Sequence, residues 1–141
     1  ETSFTYRSPK AKLTWAPPRS THPKIRHWED RILSCFLANG SYCGGGMWVA
    51  PKGSMNDGLL DVTVLAQKTV TSQLVELRLL YNGEIASVDG ASCFRAETIL
   101  AEPAMGEIIR IDLDGELSGM LPAEFSLLPQ IIPIRAKWIS S

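Results

Sequence analysis

The sequence predicts a mainly β domain, an antiparallel β-sandwich-like fold with one packed helix. Short segments alternate apolar and polar residues, glycine-rich turns separate them, and a single stretch has the apolar period of a helix. We expect about nine strands, with a strongly bent, barrel-like sheet as the open alternative. A chain of 141 residues, 45% of them apolar, is long enough for one core, so residues 1–141 are expected to form a single domain.

The N-terminal part is predicted to contain edge strands, a loop and one buried strand. Residues 3–15 alternate loosely around Pro9, which is typical of edge strands. Residues 16–23 contain three prolines and therefore indicate a loop. Residues 32–38 are almost all apolar, so we expect a buried strand.

The stretch 38–64 organises the rest of the chain. It contains an Asn-Gly pair, the consecutive glycines Gly44 to Gly46, a short apolar run at 47–50 and a loop that begins with Pro51. Consecutive glycines favour a bulge, positive φ or a close backbone approach. Alternation over 60–64 then predicts a half-buried strand.

Residues 70–82 predict the helix, because Val70, Leu74, Leu77 and Tyr81 form one apolar stripe. Gly83 follows, where a left-handed helix end favours glycine. We expect this stripe to pack against the core.

The last third returns to β structure. Alternation predicts strands at 92–100, with Arg95 and Glu97 as a charged pair on one face, and at 107–113. Asp114-Gly115 then predicts a type I′ hairpin turn, whose two central residues need positive φ. Two further strands are expected at 125–128 and 131–138.

Composition excludes several classes of function. The formal net charge is −1, and basic residues are not interleaved densely with aromatic ones, so nucleic-acid binding is not expected. Residues 1–31 carry seven Lys or Arg against three acids. This favours a solvated face and leaves binding to an anionic lipid surface as an open alternative.

The three cysteines lack a CxxC pair, which predicts reduced core thiols in a cytoplasmic protein. A sequence that begins Glu-Thr-Ser-Phe, without Met, is expected to be part of a longer protein.

Candidate chemistry rests on carboxylates, since P-loop, Rossmann and nucleophile-elbow motifs are absent. Asp57, with main-chain carbonyls near Ser54 and Leu59, could offer oxygen ligands to Mg²⁺ or Ca²⁺; a plain turn is the alternative. Asp114-Gly115-Glu116 is likewise either a simple turn or a second carboxylate site.

Several ordered blocks carry a family resemblance. They are Ala38-Asn39-Gly40-x-Tyr42-x-Gly44-Gly45-Gly46, Ala50-Pro51, Asn56-Asp57-Gly58-Leu59-Leu60-Asp61-Val62, Arg95-Ala96, Asp114-Gly115-Glu116 and Pro122-x-x-Phe125. Over about residues 32–134 the chain resembles the C-terminal domain of the diacylglycerol kinase catalytic-domain superfamily, which includes bacterial lipid kinases, sphingosine kinases and ceramide kinases.

The resemblance implies the C-terminal half of the NAD kinase/diacylglycerol kinase-like two-domain fold. It implies ATP and Mg²⁺ as cofactors and a lipid as substrate, with a peripheral membrane surface and a homodimer left open. By analogy Glu116 is the general base with Asp114 beside it, Gly115 and Glu116 lie on the cofactor side, and Ser54, Asp57 and Leu59 hold the metal. The family's Gly-Gly-Asp-Gly-Thr nucleotide signature is absent, so ATP is expected mostly on a missing N-terminal domain and the isolated chain is expected to be inactive.

Two other functions stay open. One is a non-catalytic β-sandwich that binds a lipid or a protein, and the other is a nucleotide-binding relative of the NAD kinases. Gly83-Glu84-Ile85 stands where relatives often have Gly-Arg-His, and Cys43, Trp48 and Met120 are specific to this chain. These departures leave the acceptor lipid open.

Overall fold

The computed structural model describes residues 7–18, 24–67, 78–128 and 131–132. Within these residues the chain forms eight strands, a 3₁₀ helix at Ile85–Ser87 and a helical turn at 78–81. The strands are β1 (Lys10–Trp15), β2 (Arg26–Ala38), β3 (Leu60–Ala66), β4 (Ala91–Ala96), β5 (Thr98–Pro103), β6 (Arg110–Leu113), β7 (Glu116–Met120) and β8 (Ala123–Ser126). The prediction of a mainly β fold is confirmed.

Six of the strands form one antiparallel sheet in the order β4-β3-β2-β1-β5-β8, and β6 and β7 form a separate hairpin. The 13-residue strand β2 connects the two halves of the large sheet. Its residues 26–31 pair with β1, and its residues 32–38 pair with β3. A register shift between Ile32 and Ser34 lies where the pairing changes, and such a bulge bends a strand.

The bent sheet folds over itself, which makes the domain sandwich-like. The rings of Trp15 on β1 and Phe94 on β4 stack with their centroids 3.7 Å apart and their planes 11° from parallel. In a flat sheet these two strands would lie about 14 Å apart, three strand spacings. The rings therefore meet because the two halves face each other across a core. Its buried members are Ala11, Leu13, Ile32, Leu60, Val62, Val64, Ile99 and Ala101.

The prediction of a half-buried strand at 60–64 is wrong, because β3 is buried on both faces. Leu60, Val62 and Val64 face the main core. Leu65, on the opposite face, belongs to a second core with Val49, Ile85 and Val88. The loop 39–59 and the 3₁₀ helix thus cover the face of β3 that alternation assigned to solvent.

Several boundaries also differ from prediction. The strand expected at 92–100 is two strands separated at Glu97, because β4 pairs with β3 while β5 pairs with β1 in the other half of the sheet. Of the predicted helix 70–82, residues 78–81 are helical and residues 70–77 lie outside the described part. Gly83 has a φ of +75°, as predicted for the helix end. The strand expected at 131–138 lies outside the described residues beyond position 132.

Candidate functional site

The loop 39–59 is held tightly on the outer face of β3. Val49 and Ala50 are buried, and the Val49 carbonyl accepts a 2.8 Å hydrogen bond from Thr63 Oγ1. The Trp48 N–H donates to the Leu80 carbonyl at 2.7 Å, which ties the loop to the helical turn 78–81. At the tip of the loop, Cys43 and Met47 form an isolated β-bridge around the three glycines, all of which have positive φ. These contacts of the loop therefore hold the Asp57 turn at a defined position beside β3.

The turn at 54–59 is organised by its own side chains. Asp57 Oδ1 accepts the Leu59 N–H at 3.0 Å, which closes an Asx-type turn directly before β3. The Ser54 hydroxyl lies 2.7 Å from Asn56 Oδ1. The structure thus places Ser54, Asp57 and Leu59 in one turn.

An arginine from β4 reaches this turn. Arg95 Nη2 donates to Asp57 Oδ2 and also to Asp61 Oδ2 at 3.2 Å, and Arg95 Nε lies 3.3 Å from the same Asp61 oxygen. Asp61 and Arg95 are direct cross-strand partners on β3 and β4. We call Asp57, Asp61 and Arg95 the loop-strand ion cluster.

The cluster is partly shielded from water, with side-chain exposures of 36% for Arg95, 22% for Asp57 and 11% for Asp61. Burial lowers the pKa of Arg95, but its hydrogen bonds and its charge interactions with the two aspartates raise that pKa by more. The guanidinium is therefore permanently charged and held by two carboxylates.

The sequence pattern does not predict this cluster, because it pairs Arg95 with Glu97. Glu97 instead lies at the bend after β4 and is exposed. The available signal was the position of Asp61, four residues after Asp57 on a strand that runs beside the strand of Arg95. That signal identifies the cluster only when the register between β3 and β4 is known, and no local sequence pattern determines this register.

The second group of candidate residues lies on the β6–β7 hairpin. Asp114 and Gly115 have φ values of 53° and 92° and form its two-residue connection, so the predicted type I′ geometry is confirmed. Asp112 Oδ1 accepts the Gly115 N–H at 2.8 Å and stabilises the turn. Asp114, Gly115 and Glu116 are all exposed at the end of the hairpin.

The hairpin projects from the core, and almost all residues of its two strands are exposed. Its base is anchored where the Leu121 N–H donates to the Ile109 carbonyl at 2.9 Å, and both side chains pack on the main core. Residues paired directly across an antiparallel ladder share a face, so Glu116 shares its face with Leu113, its partner. Leu113 is 62% exposed. Glu116 thus lies beside exposed apolar surface.

The two groups of candidate residues occupy different parts of the domain. Ser54, Asp57 and Leu59 lie in the turn beside the six-stranded sheet, whereas Asp114, Gly115 and Glu116 lie on the separate hairpin. Within the described part of the chain, no three His, Cys, Asp or Glu side chains form a group that could hold a metal ion. A cation at the Asp57 turn would therefore need main-chain and hydroxyl oxygens as well as the carboxylate.

The cysteines differ from their predicted location. Cys43 and Cys93 are exposed and Cys35 is half-buried, so the expectation of three core thiols is wrong for two of them. Burial raises the pKa of the Cys35 thiol to about 12.

None of the helical segments in the described ranges has the length and apolar content that a bilayer span requires.

Known proteins resemble this chain in sequence and in fold. The family model described as YegS C-terminal NAD kinase beta sandwich-like domain matches residues 24–136. A diacylglycerol kinase from Mycobacterium tuberculosis (strain ATCC 25618 / H37Rv) is 32% identical over 106 residues, covering 74% of this chain and 33% of that protein. A probable lipid kinase YegS-like protein from Pseudomonas putida is 34% identical over 92 residues, covering 64% of this chain and 28% of that protein.

A solved structure of a diacylglycerol kinase from Bacillus anthracis str. Sterne has a TM-score of 0.60 at 19% identity. The match covers 86% of this chain and 40% of that one, and at this identity it supports the fold alone. The chain spans about a third of the length of the curated relatives it matches.

Proposed function

Because this chain belongs to the family of YegS C-terminal NAD kinase beta sandwich-like domains, we propose that it forms the substrate side of an ATP-dependent lipid kinase. The kinase would transfer the γ-phosphoryl group to a hydroxyl of a diacylglycerol- or sphingoid-type lipid. The observation that carries the proposal is the family match over residues 24–136, together with relatives that are named as diacylglycerol and lipid kinases.

Glu116 is the proposed general base. The acceptor hydroxyl oxygen would attack the γ-phosphorus as the bond to ADP breaks, and the hydroxyl proton would pass to the Glu116 carboxylate. Asp114 precedes Gly115 in the same turn. Its carboxylate would add negative charge that favours proton transfer to Glu116. The exposed Leu113 beside Glu116 is suited to contact an acyl or sphingoid chain near its headgroup.

The remaining parts of the proposed site concern cofactors. Gly115, whose backbone is open at the turn, and Glu116 would lie beside the bound nucleotide. Most of the ATP site would belong to an N-terminal nucleotide-binding domain of the two-domain plan. The 141 residues alone are therefore expected to fold without catalysing phosphoryl transfer. The enzyme would act in the cytoplasm, at a membrane surface where its lipid is found.

The Asp57 turn fits a hard divalent cation by its donor chemistry. It offers a carboxylate, the Ser54 hydroxyl and main-chain carbonyls, and the loop-strand ion cluster sums to one negative charge. We propose that Ser54, Asp57 and Leu59 hold Mg²⁺ at this turn. When bound, Mg²⁺ would supply positive charge that stiffens the entry into β3. Asp57→Ala should abolish any Mg²⁺-dependent rise in the melting temperature of the chain.

The test of the proposed function is a phosphorylation assay on the two-domain enzyme that carries these residues. It would be given ATP, Mg²⁺ and vesicles that contain diacylglycerol, sphingosine or ceramide. Phosphorylation of at least one lipid, with Glu116→Gln lowering turnover and Glu124→Gln leaving it unchanged, supports the proposal. Glu124 is a matched control because it is an exposed glutamate on β8.

Two results would support other functions. Binding to lipid vesicles with no phosphorylated product would favour the non-catalytic lipid-binding domain. Phosphorylation of NAD⁺ in place of every lipid would favour a relative of the NAD kinases.

A further inference from the structure

In this structure the Arg95 guanidinium is hydrogen-bonded to the Asp57 carboxylate. Asp57 Oδ1 accepts the Leu59 N–H and Asp57 Oδ2 accepts a hydrogen bond from Arg95 Nη2, so each carboxylate oxygen has a donor. The same guanidinium is also held by Asp61, through both Nε and Nη2. Arg95 therefore joins the loop, β3 and β4 through one rigid, permanently charged group.

This geometry places Arg95 in competition with any cation at the turn. A divalent cation that binds Asp57 would share a carboxylate that Arg95 already contacts, and it would lie close to another positive charge. Resting on the metal site proposed above, we propose that Arg95 is a positioning residue that acts as the built-in cation of the Asp57 turn. It holds the turn in place without a metal ion and keeps the affinity for Mg²⁺ low.

Removing the guanidinium should therefore have two linked effects. Arg95→Gln leaves Asp57 and Asp61 facing each other without their shared counter-ion, so the cation-free chain should melt at a lower temperature. The same change should raise the affinity for Mg²⁺ by at least about tenfold, because one nearby positive charge is lost and an Asp57 oxygen is released. A purely structural arginine would lower stability without raising the affinity for a cation.

The experiment is a calorimetric titration of the whole chain with MgCl₂, alongside melting curves with and without the cation. Arg95→Gln is compared with Arg95→Lys, which keeps the positive charge, and with Arg26→Gln, which removes an exposed arginine on β2. We expect tighter Mg²⁺ binding in Arg95→Gln alone, and its lowered melting temperature should recover as Mg²⁺ is added. Asp57→Asn, combined with Arg95→Gln, should abolish the gain in Mg²⁺ affinity.

The outcomes separate the two proposals. If the unmodified chain binds Mg²⁺ through Asp57 and Arg95→Gln binds it no more tightly, the inference about Arg95 is wrong and the metal site stands. If Asp57→Asn leaves Mg²⁺ binding unchanged in both backgrounds, the metal site itself is wrong and the inference falls with it.

A second measurement covers the case in which Arg95→Gln does not fold. In ¹H–¹⁵N spectra of the unmodified chain, the Arg95 Nε–H resonance should shift as Mg²⁺ fills the site, because loss of the Nη2 contact with Asp57 moves the guanidinium relative to Asp61, the acceptor of the Nε–H. An Arg95 resonance that stays unchanged at saturating Mg²⁺ would overturn the proposal.

Discussion

Two glycines with similar backbone geometry should respond very differently to the same substitution. Gly83 and Gly115 have φ values of +75° and +92°, which alanine adopts at a cost of about 1 kcal/mol. A Cβ on Gly115 would meet nothing within 4 Å. A Cβ on Gly83 would lie 2.5 Å from Cε3 of Trp48 and 2.8 Å from two further ring atoms. Gly115→Ala should therefore cost about 1 kcal/mol of unfolding free energy.

The Gly83→Ala variant should cost roughly 2–4 kcal/mol, since forced overpacking adds about 1–3 kcal/mol to the same backbone strain. The Trp48 ring has little freedom to move aside. It stacks on Tyr42 with ring centroids 5.5 Å apart, and the main-chain N–H of Trp48 donates to the Leu80 carbonyl, which fixes the backbone that carries the ring.

Urea unfolding of both variants, followed by fluorescence and circular dichroism, measures the difference. A double-mutant cycle with Trp48→Leu isolates the contact, and Gly83→Ala should cost only about 1 kcal/mol in the leucine background. If Gly83→Ala proves no more destabilising than Gly115→Ala, the close approach of Gly83 to Trp48 is wrong and the loop 39–59 is not held as described.

Two further predictions concern chemistry. Glu116→Gln should change the unfolding free energy by no more than about 0.5 kcal/mol, because the side chain is exposed. The same variant should lower kcat of the two-domain enzyme by roughly 10²- to 10⁴-fold, and near-normal turnover would remove Glu116 as the general base. A thiol reagent at pH 8 should label the exposed Cys43 and Cys93 quickly and Cys35 slowly. Burial raises the Cys35 pKa to about 12, so its reactive thiolate stays scarce until the pH approaches that value. Labelling of all three thiols at the same rate, followed by absorbance, would contradict this prediction.

Features that depend on neighbouring residues were predictable from the sequence. Alternation identified the mainly β class, and Asp114-Gly115 identified the type I′ turn, because positive φ is a local steric requirement. The Asp57 turn was also placed correctly before β3, since its Asx-type hydrogen bond spans only two residues. For the same reason Gly83 could be assigned to the end of a helix from its position after the apolar stripe.

Features that depend on distant residues were decided by the tertiary structure. Arg95 contacts Asp57 across 38 residues of sequence and Asp61 across 34, so no local pattern distinguishes these partners from Glu97. The double burial of β3 likewise requires the loop 39–59 to fold back over it. The sequence by itself therefore determined the mainly β class, the local turns and the family. Only the folded sheet decided which charges meet, because strand register and the packing of its two halves are set by the whole core.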